Sequence, residues 1–255
     1  MRSLTLGVCR RTWYHPATML YRSKLNWIAG YVANAEVLDL GCVCHELDIS
    51  DPPWLHGFLV ERASRVVGVD ILPDAVAELE RRGYEVVCAN VETMDLDQTF
   101  DVVVAGDIIE HLSNLGLFFE RVRAHLADGG LLLVATPNPL NPMRMLRLLT
   151  GGRDLANGEH TCWFTQKVLR QLAARHGFEV ADESYADDTR YYYRIWPSIT
   201  PTGGALRRGW RRTRTLIKRL WWRPWIWLTS LLCLVRPRFS ETLCMAFRVK
   251  EDESA

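Results

Sequence analysis

Five short apolar runs, each rich in β-branched residues and each followed by a helical or turn-forming segment, constrain the fold more than any other feature. They occupy residues 36–40, 65–70, 84–88, 100–105 and 131–135. Runs of this length that are apolar almost throughout, rather than at alternate positions, suit strands buried on both faces. Pro73-Asp74 begins a helical period over 75–82, and an amphipathic period over 115–126 ends before Gly129-Gly130. This alternation predicts an α/β fold: a parallel sheet with helices on both faces. Sheets of this kind bind ligands beyond the carboxyl ends of their strands, so the residues that follow each run are the candidates for function.

Charge divides the chain differently. Of 255 residues, 48% are hydrophobic and 24% charged, an ordinary globular composition that excludes disordered and disulfide-scaffold classes. Seven scattered cysteines and no secretory signal in residues 1–22, where Arg10, Arg11 and His15 interrupt the apolar stretches, predict reduced thiols and a cytoplasmic location. Residues 189–240 hold twelve Arg and Lys and no Asp or Glu; the net charge of +1 less these twelve leaves −11 for the rest. Five of the ten tryptophans (Trp210, Trp221, Trp222, Trp225 and Trp227) lie within 203–239. The longest uncharged run there, residues 224–235, is twelve residues, against the roughly 20 that a membrane-spanning helix needs. Arginines leading into Trp- and Leu-rich segments suit a helical element lying on an anionic membrane surface, here through residues 204–238. A lid over the site and a homodimer interface are the alternatives. The aliphatic run Ile226, Leu228, Leu231, Leu232, Leu234 and Val235 argues against nucleic acid. The expected organisation is an N-terminal helical segment (1–34), a core (35–202), the basic insert (203–239), a last core strand (240–250) and a tail (251–255).

The first run ends in Asp39-Leu40-Gly41-Cys42-Val43-Cys44-His45 and the second in Asp70. A glycine turn lets backbone approach a ligand, and an acid ending the next strand can accept both hydroxyls of a ribose. The pattern fits a nicotinamide site poorly, since no second or third glycine follows Gly41 in the required spacing. Two thiols and a histidine at 42–45 do not make a zinc framework without a second ligand cluster. With Val67-Gly68-Val69-Asp70, Phe100-Asp101-Val102-Val103, Ile109-Glu110-His111-Leu112 and Leu126-Ala127-Asp128-Gly129-Gly130, the sequence resembles the class I S-adenosylmethionine-dependent methyltransferases from about residue 37 to 180. The resemblance implies a Rossmann-like seven-stranded sheet whose last strand, near 241–250, inserts antiparallel. It places Asp39, Gly41, Cys42 and Val43 at the methionine end of the cofactor, Asp70 and Ile71 at the ribose, Asn90, Val91 and Glu92 along the adenine, and Gly106 nearby. Val43 and His45 stand where the family pattern has glycines, a departure that predicts weaker cofactor binding or, as an alternative, a non-catalytic scaffold.

The fourth run leads into Asp107-Ile108-Ile109-Glu110-His111, which the resemblance puts beside the transferable methyl. An acid-x-x-Glu-His followed by a later histidine resembles the metal site of small-RNA 2′-O-methyltransferases, and a related pattern occurs in ubiquinone-pathway O-methyltransferases. Carried over, Asp107, Glu110, His111 and His160 would hold one divalent cation, Mg²⁺ or Mn²⁺ with others open. Without a metal, His111 would be a general base oriented by Glu110 or Asp107, and a purely structural role for the segment is the third possibility. Further stretches, among them Trp54-Leu55-His56-Gly57 and Ala135-Thr136-Pro137-Asn138-Pro139, resemble bacterial methyltransferases associated with cell-surface glycan assembly. The expectation is therefore an O-methyltransferase of a sugar hydroxyl on a glycan or glycolipid, peripheral on the inner face of the membrane. A quinone-like, lipid-soluble acceptor is the alternative.

Overall fold

The structure, a computed structural model, describes residues 19–43, 54–149, 158–187, 228–229 and 231–251. Eight strands form one sheet: β1 (Leu20–Tyr21), β2 (Glu36–Leu40), β3 (Arg65–Asp70), β4 (Val86–Cys88), β5 (Phe100–Gly106), β6 (Leu126–Pro137), β7 (Phe178–Ala186) and β8 (Thr242–Val249). Their order is β1-β7-β8-β6-β5-β2-β3-β4. Every neighbouring pair is parallel except those of β8, which runs antiparallel between β6 and β7. The helices are α1 (Lys24–Val32), α2 (Leu55–Val60), α3 (Pro73–Arg81), α4 (Leu115–Ala124), α5 (Pro142–Leu149) and α6 (Gln166–Arg175).

Period-two alternation builds two cores from the same strands. Leu38, Leu40, Val67, Val69 and Val103 face one side with Phe118, Phe119 and Phe178; Val37, Val66, Val102 and Val104 face the other with Trp27, Ile28 and Leu59. Both sets are buried, which explains why these strands read as continuous apolar runs.

Two expectations are corrected. Seven strands were expected; the eighth is β1, whose Leu20 and Tyr21 pair with Tyr185 and Ala186 and cover the outer edge of β7. Residues 1–34 are therefore not wholly helical, since β1 precedes α1; residues 1–18 lie outside the described residues. The helical period over 115–126 ends at Ala124. His125 caps it: its Nε2 accepts from the Leu96 amide, which leaves Nδ1–H to donate to the Arg121 carbonyl. Leu126 already pairs with Phe100, so Gly129-Gly130 belongs to β6 rather than to a helix stop. A Cβ on Gly130 would lie 2.9–3.1 Å from the carbonyl oxygens of Ala127, Asp101 and Phe100, a close approach that only glycine permits.

The base of the basic insert is visible. Asn138, just beyond β6, donates through Nδ2 to the carbonyls of Arg238 and Ser240 at 2.8 Å each, and its amide donates to Glu241 at 2.7 Å. Arg144 on α5 pairs with Glu241 at 2.6 Å, both buried. Residues 231–235 are helical, with Cys233 buried and Leu231, Leu234 and Val235 exposed. Most of the insert, residues 203–227 and 230, lies outside the described residues. Among the described residues, no helix is long and apolar enough to cross a membrane.

One buried carboxylate ties α1 to the sheet. Oδ2 of Asp182, next to a register shift in β7, accepts from Trp27 Nε1 (2.9 Å), Tyr31 OH (2.9 Å) and Ser184 Oγ (3.0 Å). Burial and the Asp182 charge push the Tyr31 phenol far up, so it stays a neutral donor. Asp182→Ala strands three buried donors, each costing about 1–3 kcal/mol if left unpaired. A loss of roughly 3 kcal/mol or more in urea unfolding is expected, and an unchanged midpoint would refute this role.

Candidate active site

The sequence-predicted residues gather where the sheet runs out. Register places Leu40 beside Ala105 and Val69, so Gly41, Asp70 and Gly106 emerge together from β2, β3 and β5. Gly41 has φ +77°, and a Cβ there would meet Ile108 Cδ1 at 2.9 Å, so the turn after β2 abuts the segment after β5. The amides of Gly41 and Cys42 both donate to the Val69 carbonyl, at 2.8 and 3.2 Å. Asp70 accepts from the amides of Val43 (2.9 Å) and Leu72 (3.1 Å), which fixes both carboxylate oxygens at the strand end. Ile71 is exposed beside it. Cys44 and His45 lie outside the described residues, so whether they compensate for missing glycines rests on the turn before them.

That turn is held from below by residues the sequence analysis gave no role. Trp54 Nε1 donates to the Cys42 carbonyl at 2.6 Å. His56 Nδ1 lies 3.0 Å from Oδ2 of Asp39, and both side chains are wholly buried. Burial raises the Asp39 carboxyl pKa; His56 and, more weakly, Lys24 oppose the rise, while Asp70 adds to it. Asp39 Oδ1 and His56 Nε2 have no hydrogen-bond partner among the described residues. Gly68 makes room, since a Cβ there would stand 2.7 Å from His56 Cε1 and 2.8 Å from Cys42 Sγ. No local pattern announces this arrangement, because Asp39, His56 and Gly68 meet only through the β2-to-β3 crossover.

The three residues that the resemblance puts along the adenine do different things. Val91 is buried in the core. Asn90 Oδ1 accepts from the Glu92 amide at 2.9 Å. Glu92 Oε1 accepts from the amides of Ser113 (2.7 Å) and Asn114 (2.6 Å) at the start of α4, a favourable place for an anion.

At the reacting end the structure brings together Glu110, His111 and His160 but not Asp107. One ligand atom from each of the three lies within 4.8 Å of the others. The His111 and His160 rings meet edge to face, 4.7 Å between centroids. The Glu110 carbonyl accepts from the Thr161 amide at 2.8 Å, anchoring the loop that carries His160. Glu110 is buried; Oε2 accepts from Thr136 Oγ1 at 2.9 Å, and Oε1 has no partner among the described residues. Burial first, and the nearby Asp107 charge second, raise its carboxyl to about 8. Asp107 has φ +55°, uncommon for a non-glycine residue, and pairs with Lys24 at the start of α1. Lys24 lowers the pKa of both Asp39 and Glu110, so its cation sits in the field of the whole site. Its distance in sequence from every other site residue hid it.

The donor set, a buried carboxylate and two half-buried imidazoles, suits a divalent cation, since an unpaired carboxylate oxygen beside two imidazoles offers two ligand chemistries in one place. It suits proton transfer equally well. Gly68→Ala tests the packing under the turn: the added methyl must displace Cys42 or His56, an overpacking cost of about 1–3 kcal/mol. Urea unfolding should register that loss; wild-type stability would mean the space is not tight.

Comparison with known proteins identifies the family. A ubiquinone biosynthesis O-methyltransferase of Nitrobacter winogradskyi is 31% identical over 125 residues, covering 45% of this chain and 42% of that protein. A probable S-adenosylmethionine-dependent methyltransferase of Mycobacterium tuberculosis is 33% identical over 144 residues, covering 47% of this chain and 51% of the other. The chain thus spans about half the length of these curated relatives. The solved complex of DhpI with SAH superposes on 91% of this chain and 84% of its own, with TM-score 0.52 and 14% identity, which demonstrates a common fold. A family profile described as a methyltransferase domain matches residues 20–183, from β1 into β7 and through every element that builds the site, and the chain belongs to that family.

Proposed function

We propose that this chain is an S-adenosylmethionine-dependent O-methyltransferase whose acceptor is a hydroxyl flanked by a second oxygen. The observation that carries this is the cluster of buried Glu110 with half-buried His111 and His160, on the segment whose Ile108 abuts the Gly41 turn. When bound, S-adenosylmethionine supplies an electrophilic methyl group on a sulfonium. Asp39, Gly41, Cys42 and Val43 would hold its methionine end, Asp70 and Ile71 its ribose, and Asn90, Val91 and Glu92 its adenine. Each Asp70 oxygen accepts one amide and keeps a second lone pair for a ribose hydroxyl.

A hydroxyl, unlike an amine, must lose its proton for useful attack at neutral pH. His111 would take that proton, with His160 against its ring. Glu110, His111 and His160 would also hold one divalent cation, Mg²⁺ or Mn²⁺, which lowers the pKa of a bound hydroxyl. The unpaired, buried Glu110 Oε1 fits that role. Asp107, paired with Lys24, would act on the cluster through its charge rather than as a ligand.

A sugar hydroxyl of a lipid-linked glycan, the acceptor implied by the glycan-assembly resemblance, is the first substrate class. A catechol-like quinone precursor is the second, favoured by the name of the Nitrobacter relative. Both are borne by lipid, in keeping with a peripheral position on the inner membrane face through residues 204–238. Exposed Leu228, Leu231, Leu234 and Val235 at the end of the insert support that contact.

Five outcomes test these statements. Calorimetry should give micromolar binding of S-adenosylmethionine, near about −8 kcal/mol. His111→Ala should retain that binding and lose roughly 10²–10⁴-fold in methyl transfer. Turnover assayed on diol-bearing glycolipids and on catechols separates the acceptor classes, and cofactor binding with no turnover on either would favour a scaffold. Chelation should abolish activity, with Mg²⁺ or Mn²⁺ restoring it; activity untouched by chelator would leave His111 as a metal-free base. Deleting residues 204–238 should abolish flotation with anionic liposomes, and undiminished flotation would refute the membrane contact.

A further inference from the structure

We infer that His56 is a positioning residue for the cofactor site: by donating from Nδ1 to Oδ2 of Asp39 it reserves Oδ1 of that carboxylate for the cationic methionine end of S-adenosylmethionine. The inference rests on the cofactor proposed above and adds a residue that touches neither cofactor nor acceptor.

The geometry carries it. Asp39 and His56 are both wholly buried, 3.0 Å apart, and each keeps one polar atom without a partner among the described residues. A buried carboxylate oxygen with no donor is costly unless a ligand or water completes it. Asp39 stands two residues before the Gly41 turn, where the amino and sulfonium cations of the cofactor would be the natural complement. His56 is itself held in place: its ring packs 5.1 Å from that of Trp54 and 5.6 Å from that of Tyr84, and Trp54 bonds the Cys42 carbonyl of the same turn. A wedge of side chains therefore fixes from below the turn that the family pattern fixes with glycines at 43 and 45. Gly68 is the cavity into which that wedge fits.

Asp39 must be ionised to receive a cation. Burial opposes this, Asp70 on β3 opposes it, and His56 on α2 and Lys24 on α1 favour it. Removing the His56 donor should push the Asp39 carboxyl further up. Cofactor binding would then weaken at neutral pH and recover as the pH rises and Asp39 deprotonates.

The experiment compares His56→Asn, whose amide can reproduce a donor near the Nδ1 position, with His56→Leu, which fills the space without one. S-adenosylmethionine affinity of the full chain is measured by calorimetry from pH 6 to 9, with thermal melting of each variant alongside. The expected result is H56N within about threefold of wild type, and H56L weaker by about tenfold or more at pH 7 but recovering towards pH 9. If His56 serves packing alone, the order reverses: H56L, lying among Trp54 and Tyr84, binds as well as wild type while H56N is impaired, with no pH trend in either. That reversal, or equal affinity of all three proteins, overturns the inference and leaves the proposed function standing. Failure of the unaltered chain to bind S-adenosylmethionine overturns both.

Discussion

A sheet buried on both faces has no water within reach, so each carboxylate placed in or beside it must be matched by protein donors or left needing something else. Four buried acids display the two outcomes. Asp182 receives three donors on one oxygen, and Glu241 receives the Arg144 guanidinium. Both lie where the structure needs clamping, one between α1 and β7, the other where the basic insert returns to the sheet. Asp39 and Glu110 each receive a single side-chain donor and keep an oxygen without one. Asp39 lies near the carboxyl end of β2 and Glu110 in the turn after β5, on the side of the sheet where Gly41, Asp70 and Gly106 emerge.

The incomplete acids have pKa values raised by burial, and the same dielectric argument strengthens whatever charge eventually pairs with them. Lys24 and Asp107 moderate that field from the rim, at half-buried positions where a charge pair costs little. The site thus has a dry floor of Asp39, His56 and Glu110 and a wetter rim. A cofactor carrying positive charge and an acceptor that must lose a proton would meet there under opposite electrostatic demands.

Most of the fold was legible because the strands of a doubly covered sheet leave long apolar runs that no other element matches. The parallel core strands, the antiparallel last strand and the acids at the strand ends all lay in that pattern or in the family resemblance it opened. What stayed hidden depended on contacts across crossovers. The strand β1 is two residues long and exists because β7 offers an edge. The helix over 115–126 lost its last residues to β6 because Leu126 pairs with Phe100, a contact that local periodicity cannot encode. The spacing of Asp107, Glu110 and His111 suggested one convergent set, yet a positive φ at Asp107 turns it towards Lys24 instead. His56 entered only as part of a stretch that carried the family resemblance, and its place against Asp39 shows only once Gly68 is seen to make room for it.

The antiparallel insertion of β8 has a topological consequence for the basic segment. Ala186, the last residue of β7, pairs with Thr242, the first of β8, and Asn138 grips the returning chain at Arg238 and Ser240. The chain between therefore leaves and re-enters the sheet at one rung of one ladder. Doubling the length of such a connection costs only about 0.6 kcal/mol in closure entropy. A change in the length of the segment therefore puts little strain on the ladder beneath it, because both its ends are fixed by the β7–β8 pairing and by Asn138.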